Sequence, residues 1–306
     1  MSSIRRVAVF GASGNFGRPI TAALLQANFQ ITIISRSSST ATFPPGVSVL
    51  KITYTTEELT HALQGQDAAV CVVGPAGISQ QIAMIDAAEA AGVKRFIVDD
   101  FGWGPDMRGL PEFAEVHMQR RRQWDYARIR AEKNPGFTWT GVTIGNPIDW
   151  ALSKFPTMGF DVTNSSAVIY DTGEEYFTGT TLAGIGQSVV GILQRPVETA
   201  NRFVKVLSIK TCQNELLHAF EKVTGKQWEI QWSTTRAILD RGRAKHSEGN
   251  TGWVLDLVVA QLYDEGEARC VVAPTREQSD AVLLGVALED SEQVVSKALG
   301  LRDMFT

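Results

Sequence analysis

The chain has 306 residues, 44% hydrophobic and 20% charged, values of an ordinary globular protein with enough length for a full core and at most two domains. A formal net charge of -4 excludes any general attraction to nucleic acid or to an anionic membrane surface, so a bound phosphate must be held locally. The three cysteines, Cys71, Cys212 and Cys270, lie far apart and form neither a disulfide framework nor a CxxC pair, and no cluster of metal ligands is evident.

At the start of the chain MSSIRR runs straight into VAVF, without the longer apolar core of a secretory signal. No apolar run is long enough to span a bilayer, and the cytoplasm is the expected location. Six short apolar, β-branched runs then follow in order: IRRVAVF, QITIIS, VSVLKI, DAAVCVV, KRFIVDD and TWTGVTI. Amphipathic stretches such as RPITAALLQA and QQIAMIDAAEAAG separate them, and Gly65 and Gly92 stand where helices would close. The alternation predicts repeated βαβ units, hence an α/β fold with a Rossmann-type parallel sheet and helices on both faces over residues 1–154.

After Trp150 the rhythm changes to a strand SAVIYDTG, a helix TLAGIGQSVVGILQ and a strand RFVKVLS. The last two, at about 180–208, are candidates to pack back on the sheet. Residues 211–306 read as mostly helical, so 155–306 is expected to form a smaller, mostly helical substrate-binding subdomain with a soft boundary. No repeat or low-complexity tract interrupts it.

The strongest motif is Gly11-Ala12-Ser13-Gly14-Asn15-Phe16-Gly17, directly after VAVF and directly before a helix carrying Pro19 near its start. Glycines here allow a tight turn and close backbone approach to a pyrophosphate, whose charge meets backbone N–H groups and the positive end of the helix. The GxxGxxG spacing points to the extended or atypical type of short-chain dehydrogenase. At the end of the second run, where an NAD enzyme places an acid on the ribose diol, stands Ser35-Arg36-Ser37. A guanidinium there suits a 2′-phosphate, so Arg36 argues for NADP(H) as cofactor, a solvated loop arginine being the alternative. Gly74-Pro75 and Gly145-Asn146-Pro147 end the fourth and sixth runs at the edge where ligands bind. Cofactor contact and a simple turn are equally good accounts of either.

These residues, with GVKRFIVDDFG and NPGFTWTGVTIGNPIDW, resemble the isoflavone-reductase-like, NmrA-like family of atypical short-chain dehydrogenases/reductases. The resemblance covers most of the chain and is most specific in the early motifs. It implies reduction of aromatic, phenylpropanoid-type substrates with NADPH, although regulatory members of the family bind the dinucleotide without known turnover. In the reductases a lysine helps to polarise or protonate the substrate, and its place falls on Arg120, within a position or two. An arginine stays protonated and cannot give and recover a proton, but it can stabilise an oxyanion or hold a carboxylate. A solvated face across Arg120, Arg121 and Arg122 is the plain alternative. No Tyr-x-x-x-Lys pair exists, the nearest being Tyr126 with Arg130.

His117, three residues before Arg120, shares its helix face and is the candidate acid/base, whereas His61, His218 and His246 read as packing or surface residues. Asp99 and Asp100 end the fifth run, where the family commonly has a serine followed by an acid. Asp100 is a candidate acid/base, although neighbouring strand residues point to opposite faces and disfavour a shared proton. Trp103 and Trp150 are candidate walls for an aromatic substrate, with core packing as the alternative. Three activities stay open: NADPH-dependent reduction of a carbonyl or enone in a small aromatic or polyketide-like metabolite, a non-redox isomerisation, dehydration or rearrangement, and dinucleotide sensing. No nucleic-acid or membrane partner is expected, and the oligomeric state is open.

Overall fold

The computed structural model describes residues 4–106 and 109–303. All six expected strands form: β1 (Arg6–Phe10), β2 (Gln30–Arg36), β3 (Ser48–Ile52), β4 (Ala68–Cys71), β5 (Arg95–Ile97) and β6 (Thr138–Thr143). They are linked by α1 (Gly17–Gln26) between β1 and β2, α2 (Thr56–Leu63), α3 (Gln81–Ala90) and α4 (Ala114–Lys133). Pairing is parallel in the order β3-β2-β1-β4-β5-β6, and a later strand, β10 (Arg202–Lys205), adds a seventh beside β6. The order reverses between β1 and β4, the point at which open α/β sheets bind ligands outside the carboxyl ends of their strands.

The apolar runs are continuous because both faces of the sheet are covered. In β1, Val7 and Val9 point into a cluster with Ile20 and Leu24 of α1 and with Ile185 and Val189 of α6 (Leu182–Gln194). Ala8 and Phe10 point the other way, toward Leu59 of α2, Ile85 of α3 and Trp124 of α4. The segment at 180–208 therefore supplies both a helix to one face and a strand to the edge of the sheet.

Beyond β6 come α5 (Ile148–Lys154), β7 (Phe160–Asp161), β8 (Ser166–Tyr170) and β9 (Phe177–Gly179) before α6. After β10 come β11 (Ile209–Thr211), α7 (Gln213–Thr224), β12 (Glu229–Ser233), α8 (Thr235–Ser247), α9 (Trp253–Leu262) and α10 (Ser291–Asp303). A separate apolar cluster holds this part together, with Phe160, Phe177, Leu216, Phe220, Trp228 and Val259 among its members. The helices are interleaved with strands: β12 pairs in parallel with β8, and β11 pairs antiparallel with β9. Between Leu262 and Ser291 there is neither helix nor strand. Buried Ala281, Leu284 and Val286 pack that run into the cluster beside α6, and polar contacts add to this: Arg202 grips Asp280 through two nitrogens at 2.7 and 3.1 Å, and Thr181 donates to Glu289 at 2.6 Å. Among the described residues no helix is long and apolar enough to cross a membrane.

Candidate active site

The glycine loop is shaped by its own packing. Gly11 is left-handed at φ +79°, and a Cβ there would lie 2.2 Å from the Val72 carbonyl oxygen beyond β4. A Cβ on Gly17 would lie 2.1 Å from the Gly11 oxygen, while Gly14 closes the turn by donating its N–H to that oxygen at 2.9 Å. Helix α1 then starts with no capping side chain at Phe16 and no acid in its first turn, which leaves its positive end available to an anion. Ala12 is buried beneath the loop, Asn15 is exposed, and Phe16 meets Trp150 edge-on with ring centroids 5.9 Å apart. Arg18, which sequence inspection had not singled out, bonds the Ser13 carbonyl at 3.1 Å and sets a cation at the mouth of the loop.

Arg36 ends β2 exposed, and its guanidinium makes no hydrogen bond or ion pair among the described residues. Gly74 and Pro75 open a short 3-10 turn after β4, and Asn146 follows β6, buried, with an Oδ1 that has no partner among the described residues. A turn that excludes side chains, a free helix end, a free guanidinium and a partnerless amide oxygen lie along the carboxyl ends of the strands. They fit a phosphorylated dinucleotide.

A second constellation follows β5. The Asp99 N–H donates to Gln81 Oε1 at 2.6 Å, and Phe101, buried, is held at φ +40°. The Asp100 carboxylate accepts the backbone N–H groups of Gly102 and Gly104. From α4, Arg120 Nη1 donates to the Asp100 carbonyl at 2.9 Å and faces its Oδ1 at 3.4 Å, while Arg120 Nε is buried without a partner among the described residues. Arg121 and Arg122 are exposed, whereas the Arg120 side chain is only 26% exposed. His117, one turn earlier, stacks on Phe113 at 6.2 Å, and its ring nitrogens make no hydrogen bond among the described residues. Asp100, Trp103, Phe113, His117, Arg120 and Gln261 enclose a cavity of about 150 Å³. A larger one, about 950 Å³, runs from Ser13 and Asn15 between α1, α6 and α10, with Trp150, Leu182 and Lys297 in its walls.

Burial sets the charge states. It pushes Asp99 up to about 8, against the pull of Arg120 and with a further push from Asp100. It pushes Asp100 up to about 6, opposed by Arg120 and by the two glycine N–H groups. His117 is held below its ordinary value, first by burial and then by Arg120 and Arg121. At neutral pH the site therefore holds an ionised Asp100 against Arg120, a protonated Asp99 and a neutral His117.

The family described as NAD(P)H-binding matches residues 11–169. The oxidoreductase poxI of Penicillium oxalicum is 63% identical over 290 residues, covering 95% of this chain and 92% of that protein. The oxidoreductase aprR of Aspergillus flavus is 33% identical over 234 residues, covering 74% of this chain and 76% of that protein. In fold, a crystal structure of isoflavone reductase matches with a TM-score of 0.76 at 19% identity, over 96% of this chain and 99% of that one. The chain belongs to the isoflavone-reductase-like, NmrA-like family of NAD(P)H-dependent oxidoreductases.

Several sequence expectations for this oxidoreductase can now be placed. Arg120, Asp100, His117 and Trp103 come together at one cavity, but Trp150 stands in the wall of the other. Tyr126 donates to Asp86 at 2.5 Å and Arg130 pairs with Glu89, both on α3, so this pair is engaged away from the cavity. His61, His218 and His246 are exposed, and all three cysteines are free and buried. Among the described residues no group of His, Cys, Asp and Glu is arranged to hold a metal. Gln81 and Gln261 went unnoticed in the sequence, because a lone glutamine in an apolar helix carries no spacing signal.

Proposed function

We propose that this oxidoreductase uses NADPH to reduce a carbonyl or conjugated enone in a small aromatic or polyketide-like metabolite. One observation carries the assignment: the Arg120 guanidinium is drawn into a cavity at the carboxyl edge of the sheet, anchored on Asp100, with a buried Nε left unpartnered. The Gly11–Gly17 loop and the start of α1 would hold the pyrophosphate and Arg36 the 2′-phosphate, with Gly74, Pro75 and Asn146 along the path to the nicotinamide. Bound there, NADPH supplies a hydride equivalent at C4 of its nicotinamide.

The chain's own groups then handle the substrate oxygen. The Arg120 guanidinium stabilises that oxygen as it becomes anionic. Asp100 fixes the guanidinium, and the glycine N–H groups in turn fix Asp100. His117 faces the same cavity with free ring nitrogens and, when protonated, delivers the proton. Its lowered pKa makes the protonated form scarce at neutral pH, so turnover rises as pH falls.

Residues 1–154 together with about 180–208 act as the cofactor-binding part and the remainder as substrate cover, a division supported by α6 and β10 lying on the sheet. The cytosol is the proposed compartment, in keeping with three buried free thiols. NADPH oxidation is to be followed with a panel of aromatic aldehydes, quinones and enones. Arg120→Ala should lose about 100-fold or more in kcat/KM while its Kd for NADP+ stays unchanged. Full activity in that variant, or no oxidation with any member of the panel, would overturn the assignment.

A further inference from the structure

The cavity around Arg120 has a volume of about 150 Å³, the size of cavities that hold a single benzene ring. Most of its wall comes from the loop after β5 and from the segment 113–124. The C-terminal half contributes Val258 and Gln261, both from α9. Gln261 is 2% exposed, and its Oε1 accepts the Leu110 N–H at 3.3 Å. Since an N–H can be answered only by the oxygen of the carboxamide, this bond fixes the orientation of the group and turns Nε2 away from Leu110. Nε2 makes no hydrogen bond among the described residues, and Gln261 is one of the residues that line the cavity. Gln261, with its Oε1 committed to Leu110 and its Nε2 unengaged among the described residues, and Arg120 thus line one ring-sized space whose apolar walls are Trp103, Phe113 and Trp124.

We infer that Gln261 binds the substrate oxygen: its Nε2 donates a hydrogen bond to the carbonyl oxygen borne by a six-membered ring seated in this cavity. The inference rests on the proposed reduction in so far as that ring is the one reduced. It makes α9, more than 130 residues beyond the Arg120 helix turn, the element that selects a ring with an oxygen acceptor over the same ring without one.

The test is binding to the full-length protein in the presence of NADP+, with acetophenone as the probe and ethylbenzene as its oxygen-free counterpart. The wild type should prefer acetophenone, and Gln261→Glu and Gln261→Met should each lose that preference by about tenfold, leaving ethylbenzene unaffected. Gln261→Glu keeps an acceptor for Leu110 and, with binding measured at a pH high enough to ionise its carboxyl and remove the donor, decides the matter if Gln261→Met fails to fold. A folded Gln261→Glu with wild-type preference overturns the inference, as does a wild type that does not prefer acetophenone, and neither result touches the Arg120 assay. Loss of preference in the variants, together with a wild type that oxidises NADPH with no carbonyl of the panel, sustains Gln261 as an oxygen-binding residue and removes the reductase assignment.

Discussion

Asp99 and Asp100 are adjacent in the chain and buried to the same degree, yet they end in different charge states because their partners differ. Asp100 has Arg120 and two glycine N–H groups, whereas Asp99 Oδ2 has no hydrogen-bond partner among the described residues. The unfolded reference for both is about 3.9. Because the folded pKa of Asp99 is raised to about 8, the folded state binds its proton more tightly, and this contribution to stability is full below pH ~4 and disappears as pH rises through about 8. Asp100 acts in the same sense over the narrower window that ends near 6. The thermal midpoint of the wild type relative to Asp99→Asn should therefore fall from pH 4 to pH 8, with the variant the more stable protein at pH 8. A difference that is flat or opposite in sign across this window would refute the assigned charge states. The sequence marked both acids as unusual, but alternation along a strand could not say which one meets the arginine. Arg120 was more legible than it was made to be. It shares a helix face with Trp124, Ala127 and Ala131, all buried, a 4-3-4 spacing that separates it from Arg121 and Arg122.

At the level of elements, the first six strands and the glycine loop were readable because each is an uninterrupted apolar run that the sheet buries on both faces. The seventh strand was read as well, as RFVKVLS packing back on the sheet, but what holds it there is a feature no pattern shows. Arg95, 1% exposed at the start of β5, donates to the hydroxyls of Thr138, Thr140 and Thr199 at 2.9 Å and also to the Pro196 carbonyl. It ties the α6–β10 connection to β5 and β6, and burial lowers its pKa to about 10. Arg95→Ala should lower unfolding stability by about 3 kcal/mol or more, from the cavity left and the hydroxyls stranded. Denaturant unfolding monitored by tryptophan fluorescence would detect this, and a loss under about 1 kcal/mol would show that the clamp is dispensable. The run between α9 and α10 was unreadable for a similar reason. Its anchors are isolated buried residues, Ala281, Leu284 and Val286, together with ion pairs and hydrogen bonds to distant elements, among them Asp280 with Arg202 and Glu289 with Lys297. Such anchors leave no periodic trace.

For the whole molecule, the net charge of -4 conceals a local arrangement of cations where phosphates would bind, with Arg18 beside the glycine loop and Arg36 at the end of β2. The cofactor half was legible because its chemistry is carried by backbone and by contiguous motif residues. The proposed substrate site was legible only in part, since Arg120, Trp103 and Gln261 converge from a helix, a loop and a second helix far along the chain. The account stands or falls on transfer of hydrogen from NADPH to a substrate carbon. NADPH deuterated at C4, on one face and then on the other, is the direct probe, with the reduced product of the best panel substrate analysed by NMR. The account predicts that deuterium from one face alone appears at the former carbonyl or enone carbon, with a slowed rate for that isotopomer. Product free of deuterium from both isotopomers, or product formed without NADPH, would contradict it.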